Sequence, residues 1–204
     1  MNSILLKGYF RSIEPSHTIE GVEYCKSDFI VKNSHTGNDD VISLKFKKFS
    51  NKYKDGDYAE ILGNIRSYSY RNNDGTNKVN IYVFTYQDIV NIETNDNNVA
   101  CIDGRVCKKD ILRTTRSGKN NFHFTIANNI ISDRTNQKVN SYIPCVAWGR
   151  LAIELSKVNI NDKLEIDGEL HSREYKKTLP NGEIEIRVAH ELVVQSYKYV
   201  DEEE

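Results

Sequence analysis

Four cysteines, three prolines, one tryptophan and one methionine are all that 204 residues hold of those types, and the scarcity excludes several kinds of protein. Cys25, Cys101, Cys107 and Cys145 form no C-x-x-C pair and have no H-x-x-x-H partner, so a zinc site has little support. As small hydrophobes in a reducing cytosol they are expected to be buried, reduced thiols. No run reaches the ~18 apolar residues that a membrane helix needs. The Met1-Asn2-Ser3 start lacks the basic and apolar regions of a secretory leader, so a cytoplasmic location is expected. A Walker-type glycine loop, a Ser-His-Asp pattern and a carboxylate pair at a readable spacing are missing too. The chain is therefore not expected to be an enzyme, or to carry a metal or cofactor.

What is present is ordinary soluble material, 38% hydrophobic and 28% charged, long enough for one large domain or two small ones. A net charge of −1 first argues against nucleic acid. Its distribution changes that. From Asn98 onward there are 16 Lys and Arg against 16 Asp and Glu, but four of those acids are Asp201-Glu202-Glu203-Glu204, and without them the balance is +4. A phosphate backbone feels charge locally, within a Debye length of ~8 to 10 Å.

The chain also repeats itself. Asp57 to Tyr70 and Asp162 to Tyr175 share Asp, Glu, Ile, Gly, Ser and Tyr at an offset of 105. Upstream, Phe29 to Asn33 answers Phe124 to Asn128, and Gly8 answers Gly104, at an offset of 95 or 96. This reads as two tandem domains, 1–95 and 96–200, parted near the polar cluster from Glu93 to Asn98, with 201–204 as an acidic tail. The second copy accommodates insertions, including a longer loop from Ile130 to Asn140.

Most segments alternate like half-buried strands: Ile4 to Phe10, Asp28 to Lys32, Val41 to Phe46, Tyr58 to Tyr70 and Val79 to Phe84. Turns are signalled at Asp55-Gly56, Asn73-Asp74-Gly75 and Pro180-Asn181-Gly182. Only Gly149 to Val158 has helical spacing, with Leu151, Ile153, Leu155 and Val158 on its apolar side. Strand period assigns faces. Ile143, Cys145 and Ala147 point one way, and Tyr142, Pro144, Val146 and Trp148 the other. Leu164, Ile166, Gly168 and Leu170 form a core face; Glu169, His171, Arg173 and Tyr175, extended by Lys176 and Lys177, form an outer one. In the first copy Arg66, Tyr68 and Tyr70 match that outer face. There Ile42, Leu44 and Phe46 are core, with Lys45 and Lys47 outside. The clearest basic segment is Arg113 to Lys119, with Arg113, Arg116 and Lys119 around the Ser117-Gly118 turn. Packing remains an alternative role for Tyr9, Tyr58 and Tyr82.

The run from Asp103 to Asn128, a strand, a basic loop and a second strand, followed by an aromatic strand ending in Val146-Ala147-Trp148-Gly149, resembles the bacterial single-stranded DNA-binding protein family. The resemblance covers Asn98 to Tyr199 best. It implies an all-β fold, two tandem OB-fold five-stranded Greek-key barrels, each with a short helix or turn between strands 3 and 4. It also implies that Tyr142, Trp148 and Tyr175 are stacking platforms for bases. Cations interleaved with aromatics suit a single strand of any sequence. With two domains in the chain, the resemblance implies a homodimer presenting four barrels. Family members usually end in a linker and an acidic tip closing on Pro-Phe, and the segment Tyr199 to Glu204 has neither, so the resemblance leaves replication and repair proteins as possible partners but without that docking tip.

The expected function is non-catalytic coating of single-stranded DNA in replication, recombination or repair. The alternative is an OB-fold accessory module that holds another protein and binds nucleic acid weakly or not at all. RNA binding is a third possibility, since nothing here reads a 2′-OH.

Overall fold

The computed structural model describes residues 1–33, 37–48, 53–71, 77–88, 94–131, 138–179 and 182–200. Five strands come first: β1 (Asn2–Ile19), β2 (Val22–Lys32), β3 (Asp39–Lys47), β4 (Tyr58–Arg71) and β5 (Asn77–Asp88). They lie in the order β2-β3-β5-β4-β1, and β1 pairs back onto β2 to close a ring. Then follow β6 (Asn98–Lys109), the two-residue β7 (Arg113–Thr114), β8 (Asn120–Ile131), β9 (Lys138–Trp148), the helix α1 (Gly149–Leu155), β10 (Lys163–Thr178) and β11 (Ile184–Tyr199). Their order is β6-β10-β11-β9-β8, with β6 closing on β8 and β7 appended to β8. In both rings one parallel contact completes the closure, Leu44 beside Val83 and Cys145 beside Leu192, while the other pairings are antiparallel. This is the strand order of an OB barrel, the fold expected.

Alternation along the strands fills each ring with the predicted side chains. Ile4, Leu6, Phe29, Ile42, Leu44 and Val83 are buried in the first, and Ile102, Ile126, Ile143, Leu164, Ile166 and Leu192 in the second. The helix is shorter than its expected span, and only part of the expected side is covered: Leu155 and Val158 are buried and Leu151 packs partly buried against the core, whereas Ile153 is 39% exposed and Ala152, not expected, is buried. Two cysteines depart from expectation. Cys25 and Cys145 are buried, but Cys101 is half-buried and Cys107 exposed, both on the outer face of β6. The Asn73–Gly75 turn, residues 132–137 of the inserted loop, Pro180, Asn181, Glu93 and the acidic tail lie outside the described residues.

The two rings share backbone devices that correspond in sequence. β4 shifts register at Leu62/Gly63 against β5, and β10 shifts at Asp167/Gly168 against β11. At both bulges the opposite backbone comes so close that a Cβ on Gly63 would lie 2.6 Å from the Phe84 carbonyl oxygen, and one on Gly168 2.2 Å from that of Val193. Beyond the bulge each first strand ends its ladder, at Ile4–Gly63 and at Ala100–Gly168. An asparagine side chain then continues it. Asn2 donates to the Ile65 carbonyl at 2.7 Å and accepts the Ile65 N–H at 2.8 Å; Asn98 does the same for Leu170 at 2.8 and 3.0 Å.

The rings are joined along one strand edge. β1 pairs with β6 from Asn2–Ile102 to Leu6–Asn98, making a single 11-stranded sheet. Gly168→Ala is expected to destabilise the protein by about 1 to 3 kcal/mol, since a methyl forced against a carbonyl must move backbone. Thermal unfolding should register this as a drop of about 2 to 4 °C in Tm per kcal/mol.

Candidate nucleic-acid interface

In the second ring the outer face carries rings and cations side by side. Tyr142 and Trp148 project from β9, 40% and 37% exposed, and Tyr175 projects from β10. Gly149, at a φ of +61° that favours glycine, turns the chain from Trp148 into α1. The Lys119 Nζ lies 5.3 Å from the centre of the Trp148 ring, and the Arg173 guanidinium 5.8 Å from that of Tyr175. Lys119 is held there by a tight hairpin: the Thr115 N–H donates to the Lys119 carbonyl and the Gly118 N–H to the Thr115 carbonyl, both at 2.9 Å. Arg113, Arg116, Lys119 and Lys176 are exposed and Lys177 is half-buried. Among the described residues none of these five forms an ion pair. Beside the hairpin Ile111 stands 74% exposed, a residue that no periodicity singled out. Val146, expected outside, is 2% exposed; its neighbours across the ladder are His123 on β8 and Val193 on β11.

The first ring presents a tighter aromatic group. The Lys45 Nζ sits 4.6 Å from the centre of the Tyr68 ring and 4.4 Å from that of Tyr82. Tyr68 stacks on Tyr70 at 6.0 Å and receives a hydrogen bond from Asn80 at 2.8 Å. Lys45 is thus engaged by two rings, while Lys47 stands exposed at the end of β3. Arg66 is half-buried, its guanidinium 4.3 Å from the centre of the Phe84 ring. Tyr82 joins the cluster rather than the core. Tyr9 and Tyr58, about half exposed, meet edge to face at 5.3 Å near the other end of β4.

A cleft of about 840 Å³ lies between the two faces, lined by Lys45, Tyr68 and Tyr82 from one ring and Pro144, Tyr175 and Arg187 from the other. Carboxylates line it too, and they hold cations. Glu14 takes Lys26 and Asp28 takes Arg11, each at 3.0 Å. Glu185 takes Arg187, and Glu191 lies 3.7 Å from both His123 and Arg173. The pairs Glu14–Lys26 and Asp28–Arg11 face solvent and such pairs are individually worth little, so a phosphate can replace the carboxylate there at small cost.

His171, expected among the outer cations, is engaged between the rings instead. Its Nδ1 lies 2.8 Å from the Asp40 carboxylate and its Nε2 3.0 Å from Glu169. Asp40, 3% exposed, also accepts the Ser172 N–H at 2.7 Å and an Asn33 amide hydrogen at 3.0 Å. The Val41 N–H donates to the Ser172 Oγ at 2.8 Å, and the His190 Nε2 donates to the Val41 carbonyl at 2.9 Å. Nearby the Tyr142 N–H donates to the Ser67 Oγ at 2.7 Å. Burial pushes the Asp40 carboxyl up, but hydrogen bonds from His171 and Ser172 outweigh it and leave its pKa lowered. Burial pulls His171 down, and Asp40 and Glu169 reverse that to a raised pKa. For His190 burial wins over the Val41 carbonyl, and its pKa is lowered. The sequence gives no sign of this contact: Asp40 follows a polar run at the start of β3, and Ser172 and His190 follow the strand period like their neighbours.

Residues 97–200 match the model of the single-strand binding protein family. Among solved structures, a deletion mutant of the single-stranded DNA binding protein from Thermus aquaticus superimposes with a TM-score of 0.73 at 14% identity, covering 100% of this chain and 96% of that one. The wild-type protein from the same organism gives 0.72 at 13% identity, with 100% and 95% covered. At such identities the likeness is one of fold, and it extends over both rings. A search of curated protein sequences found no match. No helix among the described residues is long and apolar enough to cross a membrane.

The inter-ring contact has opposite pH slopes on its two sides. His190, its pKa lowered, withdraws stability as pH falls below the ordinary 6.5, where the unfolded chain binds the proton first. His171, its pKa raised, withdraws stability as pH rises above 6.5 through its folded value. Asp40, its pKa lowered, adds a further loss below 3.8. In thermal unfolding across pH, His171→Gln should flatten the decline above pH 6.5, and His190→Gln the decline below it.

Proposed function

The chain belongs to the single-strand binding protein family, and from that premise we propose which residues carry its binding of single-stranded DNA, how the chain divides, and how it assembles. It is a non-enzymatic DNA-binding protein with the replication and repair roles typical of the family. Tyr142, Trp148 and Tyr175 stack on bases. Arg113, Arg116, Lys119, Arg173, Lys176 and Lys177 track the phosphates, with Tyr68, Tyr70, Lys45 and Lys47 serving the first barrel and Tyr82 joining them. The observation that carries this reading is the pairing of a cation with an exposed ring, Lys119 with Trp148 and Arg173 with Tyr175. A base can lie on the ring while the cation meets its phosphate, without sequence selection. Arg66 packs on Phe84 and His171 is engaged by Asp40, so both serve the face by supporting it.

The division into domains 1–95 and 96–200 follows the two ring closures and the 96- and 105-residue offsets. Cytoplasmic action fits the four unbridged thiols. Assembly as a homodimer with four barrels is supported by the outer side of the shared sheet. There Leu62, Leu5 and Val99 lie side by side on β4, β1 and β6, with Leu62 39% and Val99 41% exposed and Leu5 buried between them. Two exposed apolar side chains flanking a buried one form a surface that a second copy can cover.

Titration with dT oligomers should quench the fluorescence of Trp148, and Trp148→Ala should cost about 1 to 3 kcal/mol of affinity. Unchanged affinity after that substitution would remove Trp148 from the interface, and no binding of dT at low salt would leave the accessory-module reading. Val99→Lys should convert the dimer to a monomer by light scattering; a parent chain already monomeric at the same concentration would contradict the assembly.

A further inference from the structure

The cleft between the barrels has one wall whose position is set by a small polar contact, and that contact touches no DNA in the reading above. On the first barrel it consists of the Asp40 carboxylate and the Val41 backbone, at the start of β3. On the second it consists of Ser172 on β10 and His190 on β11, with His171 beside them. Beyond these residues the same hairpin carries Arg173, Tyr175 and Arg187, while β3 carries Lys45 toward Tyr68 and Tyr82. The contact therefore lies directly behind the line along which a strand passes from one aromatic group to the other.

We infer that Asp40 is a positioning residue that locks the β10–β11 hairpin against β3, making the two aromatic faces one continuous track for a single strand of DNA. The inference rests on the proposed binding faces. Its chemistry lies in Asp40 itself. A nearly buried carboxylate leaves water only when donors replace its hydration. Here those donors are the Ser172 N–H and His171 from one barrel and Asn33 from the other. Glu169 faces His171 from the far side, and Asp28 acts on His190 from the first barrel. The contact is correspondingly specific in direction: the strand-to-strand bonds through Ser172 and His190 are satisfied only when the hairpin lies in this one place. With the lock open, the barrels stay joined through β1 and β6 and through Ser67 against Ser141 and Tyr142, but the β10–β11 hairpin is no longer fixed on β3, and a strand spanning both faces pays to restore it.

The test compares dT oligomers of about 8 nucleotides, which one barrel can hold, with others of about 30, which reach both. Asp40→Ala should leave the Kd of the short oligomer unchanged, which also reports that the barrels remain folded. It should weaken the long one about tenfold, part of the 10²- to 10⁴-fold that linkage of two sites adds. Ser172→Ala, which keeps the carboxylate and removes the acceptor of the Val41 N–H, should act in the same direction. Hydrogen exchange at the amides of Val41 and Ser172 should accelerate in Asp40→Ala while the β1–β6 amides keep their protection. Equal weakening of short and long oligomers, or unchanged binding of both despite faster exchange at Val41 and Ser172, would overturn the inference. Absence of dT binding by the parent chain would instead overturn the proposed faces, and the exchange measurement would still read the lock.

Discussion

The edge shared by β1 and β6 is the constraint on which the other contacts between the barrels depend. β1 closes its own ring by pairing with β2 from Gly8 onward, and β6 closes its ring by pairing with β8 from Arg105 onward. The earlier residues of the two strands, Asn2 to Leu6 and Asn98 to Ile102, are left to pair with each other. Ile4 lies opposite Ala100, its own counterpart at the 96-residue offset, so the junction is two-fold symmetric with respect to the repeat. From that alignment follow the Asn2 and Asn98 side chains that extend the ladders, the apolar row across β4, β1 and β6, and the docking of the second hairpin on β3.

A chain of net charge −1 can serve a polyanion because its charges are arranged in two ways. Around Trp148 the cations of the β7–β8 hairpin form no carboxylate pairs among the described residues. Within the cleft and at its rim they are paired but accessible, as Lys26 is with Glu14 and Arg173 with the cleft residue Glu191. The first arrangement supplies attraction at a distance. The second keeps the cleft near neutral until phosphate displaces carboxylate. Where a charge is truly withdrawn from water, at Asp40, it is spent on holding the barrels together.

Much of this was legible in the sequence, because strand period is strict. Tyr142, Trp148 and Tyr175 were placed outward by parity alone, and the offset repeat already separated two rings. The prediction failed where a neighbour from another element decides. Val146 obeys the period yet is buried, and His171 obeys it yet turns to a carboxylate 131 positions away. Cys107 shows the same limit, exposed where a thiol was expected to be buried. The asparagine ladder was readable in principle, since Asn2 and Asn98 share the offset of Gly8 and Gly104 and Ile65 and Leu170 share that of Gly63 and Gly168. Strand period does not reveal it, because a polar residue at a strand start has the pattern of solvent-facing surface.

The central claim is that exposed cations and rings of this surface act together on a single strand, and the dependence of affinity on salt tests it most directly. Five cations of the second barrel that form no ion pair among the described residues, each neutralising a phosphate, predict a slope of log K against log salt of about −3.5. A slope near zero, at any affinity, would mean that phosphates are not what this surface meets, and would contradict the account.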